Sequence, residues 1–152
     1  MPNIKEEITG ATGELQILVK DADGNVKTEM TVPNLVVNTG LNFISARMKE
    51  TGRPNEMSHM EVGTSTTAAA AGDTTLAAAV SGSRVALDST TVSTNTVQYV
   101  ASFPAGTGTG ALTEAGIFNA SSSGTMLCRT VFSVINKAAD DSMTITWTIT
   151  IS

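Results

Sequence analysis

The sequence predicts a mainly all-β protein, an antiparallel β-sandwich or jelly-roll-like barrel with one short helix. Three observations lead there. The last residues alternate without error, with Ser142, Thr144, Thr146, Thr148, Thr150 and Ser152 on one parity and Met143, Ile145, Trp147, Ile149 and Ile151 on the other. Successive strand side chains point to opposite faces, so this register sends the apolar set to a core and a row of hydroxyls outwards. Strand-like runs recur along the whole chain, about seven to nine of them, separated by turn residues at short spacing. Finally, hydrophobic content of 41% supports a core, while charged residues reach only 15% and aromatics 4%, so neutral Thr, Ser and Gly make up most of the remainder.

A polar lead, Pro2 to Gly13, precedes the first strand, and we expect its first part, up to Thr12, to be a flexible arm, with 13–152 as one β-sandwich domain. Leu15, Ile17 and Val19 alternate with Glu14, Gln16 and Lys20. The turn residues Asp21, Ala22, Asp23, Gly24 and Asn25 then lead to Val26, Thr28, Met30 and Val32, a β-hairpin pattern. Pro33, which has no N–H for a ladder, is expected to end that strand. Asn38 or Thr39 can cap a helix over about Leu41 to Lys49, in which Leu41, Ile44 and Met48 recur at three and four. Gly52 and Pro54 stop it.

Met60 and Val62 mark a short strand. From Gly63 to Gly82 the chain is dominated by Thr, Ala, Gly and Ser with Leu76 and Val80 as its apolar anchors, a long loop with room for a helical turn near Thr75 to Val80. A loop of that length in a compact domain ordinarily has a contact to make. Arg84 to Leu87 opens a second run of strands, and Val97, Tyr99, Ala101 and Phe103 form the next, ended by Pro104. The loop Ala105 to Gly110 leads to Leu112, Ile117 and Phe118; Asn119 to Gly124 turns into Met126 to Phe132; Lys137 to Asp141 makes the last turn.

The net charge of −5 and the lack of a Lys/Arg cluster argue against a nucleic-acid partner. Between Pro54 and Cys128 the only Lys or Arg is Arg84. A single cysteine allows no intrachain disulfide and suits a reducing compartment. No stretch reaches the ~20 apolar residues of a membrane span, and Met1 to Thr12 has no apolar run of signal-peptide length, so neither insertion nor export by that route is expected.

Candidate sites are few, and each has a simpler structural explanation. Asp21, Asp23, Gly24 and Asn25 offer oxygens for a cation, but the glycine and the missing final glutamate break calcium-loop spacing, and the same residues suit a tight turn. Gly106, Gly108 and Ala111 match a pyrophosphate-cradling spacing without the helix it needs. His59 and Cys128 are the residues a Cys–His nucleophile would use, and are too few for a zinc site. Asp140 and Asp141 are adjacent turn acids, expected to be solvated and to point apart, unlike a glycosidase pair. Trp147 and Tyr99 are the available sugar-stacking rings, both on core parity. We therefore expect no catalysis, no cofactor and no metal.

Three segments together carry a resemblance: Met60-Glu61-Val62-Gly63-Thr64 followed by an Ala/Thr stretch to Asp73-Thr74-Thr75-Leu76; Leu112-Thr113-Glu114-Ala115-Gly116-Ile117-Phe118-Asn119-Ala120; and Met126-Leu127-Cys128-Arg129-Thr130-Val131-Phe132. Over roughly residues 35 to 152 the chain resembles a family of small structural proteins of tailed bacteriophage virions. The resemblance implies a capsid decoration (cement) protein on the virion surface, made in the host cytoplasm. Its partner would be the major capsid protein, with self-association as a homotrimer or homodimer. The alternative is a tail, baseplate or fibre-adaptor protein that binds other tail proteins. A carbohydrate-binding β-sandwich using Trp147 or Tyr99 is the reading from another class. The arm, Pro2 to Thr12, and the loop, Gly63 to Gly82, are the expected contact surfaces.

Overall fold

A computed structural model describes residues 10–152. It contains nine strands and one helix: β1 (Ala11–Lys20), β2 (Val26–Val36), α1 (Asn38–Arg47), β3 (His59–Gly63), β4 (Val85–Ala86), β5 (Ser89–Ser93), β6 (Thr96–Phe103), β7 (Gly110–Phe118), β8 (Met126–Lys137) and β9 (Ser142–Ile151). The strands form one antiparallel sheet in the order β4-β3-β7-β8-β2-β1-β9-β6-β5, strongly curled into a half-barrel. The all-β class with one helix is thus as expected, with a single curled sheet taking the place of two separate ones.

The chain itself explains the curl. In a flat sheet, eight inter-strand spacings would hold the two edges roughly 38 Å apart. Yet the edge strands β4 and β5 are consecutive, joined by Leu87 and Asp88 alone. Three peptide steps reach at most about 11 Å, so the sheet has to bring its edges together. Leu87 N–H donates to Ser58 O and Asp88 N–H to Val100 O, tying the link to both ends of the sheet.

The core fills the inside of the curl. Leu15, Ile17 and Val19 of β1 face Trp147, Ile145 and Met143 of β9 in register, and these in turn face Tyr99, Ala101 and Phe103 of β6. Met60, Ile117 and Cys128 continue the same layer across β3, β7 and β8. All of these side chains are buried.

Four expectations are corrected. β1 opens at Ala11, so the last residues assigned to the arm are strand, and the remainder of the arm lies outside the described residues. Pro33 does not end β2: it pairs with Glu14, and the strand runs on to Val36. Its carbonyl accepts from Thr130 Oγ1, so the peptide side that lacks an N–H faces the seam with β8, where the ladder holds only Leu35 and Val36. A proline costs no ladder bond there. The helix starts at Asn38, earlier than expected, and neither Asn38 nor Thr39 caps it; Thr39 Oγ1 instead donates to Met126 O on β8. No helical turn forms near Thr75 to Val80, where Ala79 bridges Gly63 as a strand neighbour.

Candidate functional site

Strand β7 is buried on both faces, from Leu112 through Phe118. Its inner face belongs to the core; its outer face is covered by the long loop after β3. Glu114, fully buried, accepts hydrogen bonds from Ser65 N–H (2.9 Å), Ala77 N–H (2.9 Å) and Ala78 N–H (2.8 Å). Arg129, on the outer face of neighbouring β8, donates from Nε to Glu114 (3.1 Å), from Nη1 to Asp73 (2.9 Å) and from Nη2 to Thr67 O (2.9 Å). Asp73 also accepts from Ala70 N–H, and Thr113 Oγ1 donates to Ser65 O. A loop with almost no apolar anchors is thereby locked to the sheet by a carboxylate, a guanidinium and their backbone partners.

Charges this deep are tolerated only when paired and hydrogen-bonded, and each member of this clasp is. The packing around it leaves no slack. A Cβ on Gly63 would lie 2.5 Å from Ala78 O, and one on Gly116 would lie 3.0 Å from Leu76 Cδ2 and 3.2 Å from Cys128 O. Leu76 is the loop's apolar plug, buried with Val37, Phe118 and Met126 in a second small cluster outside the sheet. At the far end Asn38 N–H donates to Ala71 O, joining the loop to the start of α1.

Beside the clasp, Arg84 donates to both oxygens of Glu61 (3.1 and 3.2 Å) and lies 3.7 Å from the centre of the Phe118 ring. Its Nη1 also donates to Ser123 O (2.7 Å) and Ala120 O (3.3 Å), fixing the turn before β8. The one Lys or Arg of the central region is thus consumed internally.

The segments behind the virion resemblance lie together in space. They supply β3, the loop, β7 and β8, and their charged residues Glu61, Asp73, Glu114 and Arg129 all enter these ion pairs. The clasp that these segments build is not legible in their spacing. The available signal was β7 itself, where Thr113 and Glu114 interrupt an apolar run that has no alternation.

The other candidates are dispersed. Asp21 Oδ1 accepts from Asp23 N–H (3.0 Å) and Asn25 N–H (2.9 Å), and Gly24 has φ +84°, so this is the hairpin turn. The loop carrying Gly106 and Gly108 runs into β7, a strand, so Ala111 opens no helix and no pyrophosphate cradle exists. Met60, Ile117 and Cys128 pair directly across the sheet, so His59, next to Met60, points to the opposite face from Cys128 and the two cannot act together. His59 Nδ1 is hydrogen-bonded to Ser58 Oγ, while burial pushes the Cys128 thiol well up, away from a nucleophilic thiolate. Tyr99 and Trp147 are core residues, unavailable for stacking on a sugar. The expectation of two solvated turn acids is corrected at Asp141. Asp140 is exposed, but Asp141 is buried, takes a hydrogen bond from Ala138 N–H and is ion-paired with Lys27, partners that hold its carboxyl below the usual range. No group of His, Cys, Asp and Glu able to hold a metal occurs among the described residues, and no described helix is long and apolar enough to cross a membrane.

Away from the clasp, the outer face of β1, β9, β6 and β5 is neutral apart from Glu14 and, at the end of β1, Lys20. Thr12, Gln16, Thr144, Thr146, Thr148, Gln98 and Thr91 share it in register. Comparison with family models, with characterised proteins and with solved structures finds no match to the chain.

Proposed function

We propose that the protein is a structural component of a tailed-bacteriophage virion, a decoration (cement) protein that binds and stabilises the assembled head shell through the major capsid protein. The observation that carries this reading is the clasp. It spends buried charges on holding a loop, 64–82, whose outward residues are small and neutral: Thr64, Thr66, Ala68, Ala70, Thr74 and Ala77 are exposed. A surface ordered in advance loses little entropy on docking, and hydroxyl and methyl groups are inexpensive to desolvate beside charged ones.

A protein that binds the lattice and not its free subunits shifts assembly toward the lattice by mass action. Many copies, each with a modest contact, suffice for that, and the fold needs no reactive group to do it. The three segments that resemble virion proteins are the same ones that build the clasp and its loop, so the resemblance and the proposed docking surface coincide.

Immunogold labelling of purified particles with antibody to this protein tests the reading. Gold distributed over heads is the expected result. Labelling confined to tails would favour the tail, baseplate or fibre-adaptor alternative, and unlabelled particles would overturn the virion assignment altogether.

A further inference from the structure

We propose that β5 is a pairing edge for a second copy of this chain, joined antiparallel about a two-fold axis through Thr91. Edge strands present unpaired N–H and C=O groups, and stable monomers blunt them with charge, proline, extreme shortness or a covering element. Ser89–Ser93 is five residues long, contains no charge and no proline, and is exposed at every position. Val92, a large apolar side chain, is 70% exposed on it.

The peptide groups are aimed correctly for a partner. A two-residue turn, Thr94 and Asn95, closes the β5–β6 hairpin on the pair Ser93 and Thr96. Ladder alternation from that closing pair turns the N–H and C=O of Thr90 and Val92 away from β6, outward. The turn is also held in place: Asn95 Nδ2 donates to Ile151 O, and Ile151 N–H donates to Asn95 O.

The occupant follows from self-complementarity. Centred on Thr91, the pairing sets Thr90 against Val92 of the other copy, Ser89 against Ser93 and Thr91 against itself. Asp88, the nearest charge in sequence, falls opposite Thr94 and meets no carboxylate. For a chain of net charge −5, this neutral edge is a place where two copies approach without like-charge contact. One short strand pair is a small interface, so the contact is weak in dilute solution and becomes occupied where copies are concentrated. The inference rests on the sheet edge alone and stands or falls separately from the virion reading.

Disulfide trapping of Thr91→Cys tests it. At a pair whose own peptide groups face away from the partner, the two Cα atoms lie about 4.5 Å apart, within disulfide range. The control is Ser122→Cys, exposed on the turn between β7 and β8 and no part of this edge; Cys128 is buried and stays silent in both. Under mild oxidation Thr91→Cys should form disulfide dimer at least about tenfold faster than the control at equal concentration. Adding Val92→Pro should abolish that advantage, since it removes an N–H that β6 does not use. Val92→Lys provides the same test without a proline. Equal trapping rates for Thr91→Cys and Ser122→Cys, or an advantage that survives both Val92 substitutions, would overturn the proposal.

Discussion

Glu114, fully buried, accepts four hydrogen bonds, three from backbone N–H groups of the loop and one from Arg129. Glu114→Ala leaves the buried Arg129 guanidinium with the partly exposed Asp73 as its one remaining carboxylate and strips the acceptor from three backbone N–H groups. Breaking a buried ion pair on one side costs about 3–5 kcal/mol, and urea denaturation should show a loss of that size. Replacing both members by apolar residues should recover only part of it, because the amides of Ser65, Ala77 and Ala78 still lack an acceptor. At Cys128 the prediction is kinetic: with the thiol buried and its ionisation suppressed, a thiol reagent should label the native protein only as fast as it opens. Asp141 sets an acid limb. Its folded carboxyl ionises below the unfolded value, so its stabilisation is present above the ordinary carboxylate range and fades as pH falls through the folded value. Asp141→Asn should flatten stability against pH there, as followed by thermal melts. Tyr99 works at the other end: burial pushes its phenol up to about 12, so its contribution is intact below about pH 10 and is lost as pH rises toward the folded value.

Among the elements, β7 and α1 show how close approach is built in. Gly116→Ala would press a methyl against Leu76, Cys128 O and Met126 Sδ, and overpacking of this kind costs about 1–3 kcal/mol. The loss should appear with faster hydrogen exchange at Ala77 and Ala78, since the loop is what must shift. Gly40→Ala is more severe, with a Cβ 2.0 Å from the carbonyl oxygen of Leu127, and should dislodge the start of α1 from β8. The sequence was most readable where one face is wet and the other dry. β1, β6 and β9 alternate because each has one core face, so their residues announce both strand and orientation. β7 is dry on both faces and β5 wet on both; neither alternates, so the clasp behind β7 and the bare edge of β5 left no parity to read. Asp141 was hidden for a related reason: its partner Lys27 lies 114 positions away, a distance across which spacing carries no information. Pro33 misled because its meaning depends on which neighbour it lacks, and the seam with β8 is visible only in the assembled sheet.

For the molecule as a whole, a short link between the two edge strands forces a curled sheet, the curl encloses the core, and the outside is left for a clasped loop and a nearly uncharged threonine face. That division suits the proposed role, binding by shape in many copies. If the proposed place in the head of a virion holds, abundance is the property that a head decoration cannot escape. Quantitative mass spectrometry of purified particles, normalised to the major capsid protein, measures it directly. A head decoration should give a ratio between roughly one third and one, the stoichiometry of a lattice covered by repeated weak contacts. A ratio near about one in fifty would contradict it by placing the protein in a structure present once per particle, and its absence from particles would contradict it outright.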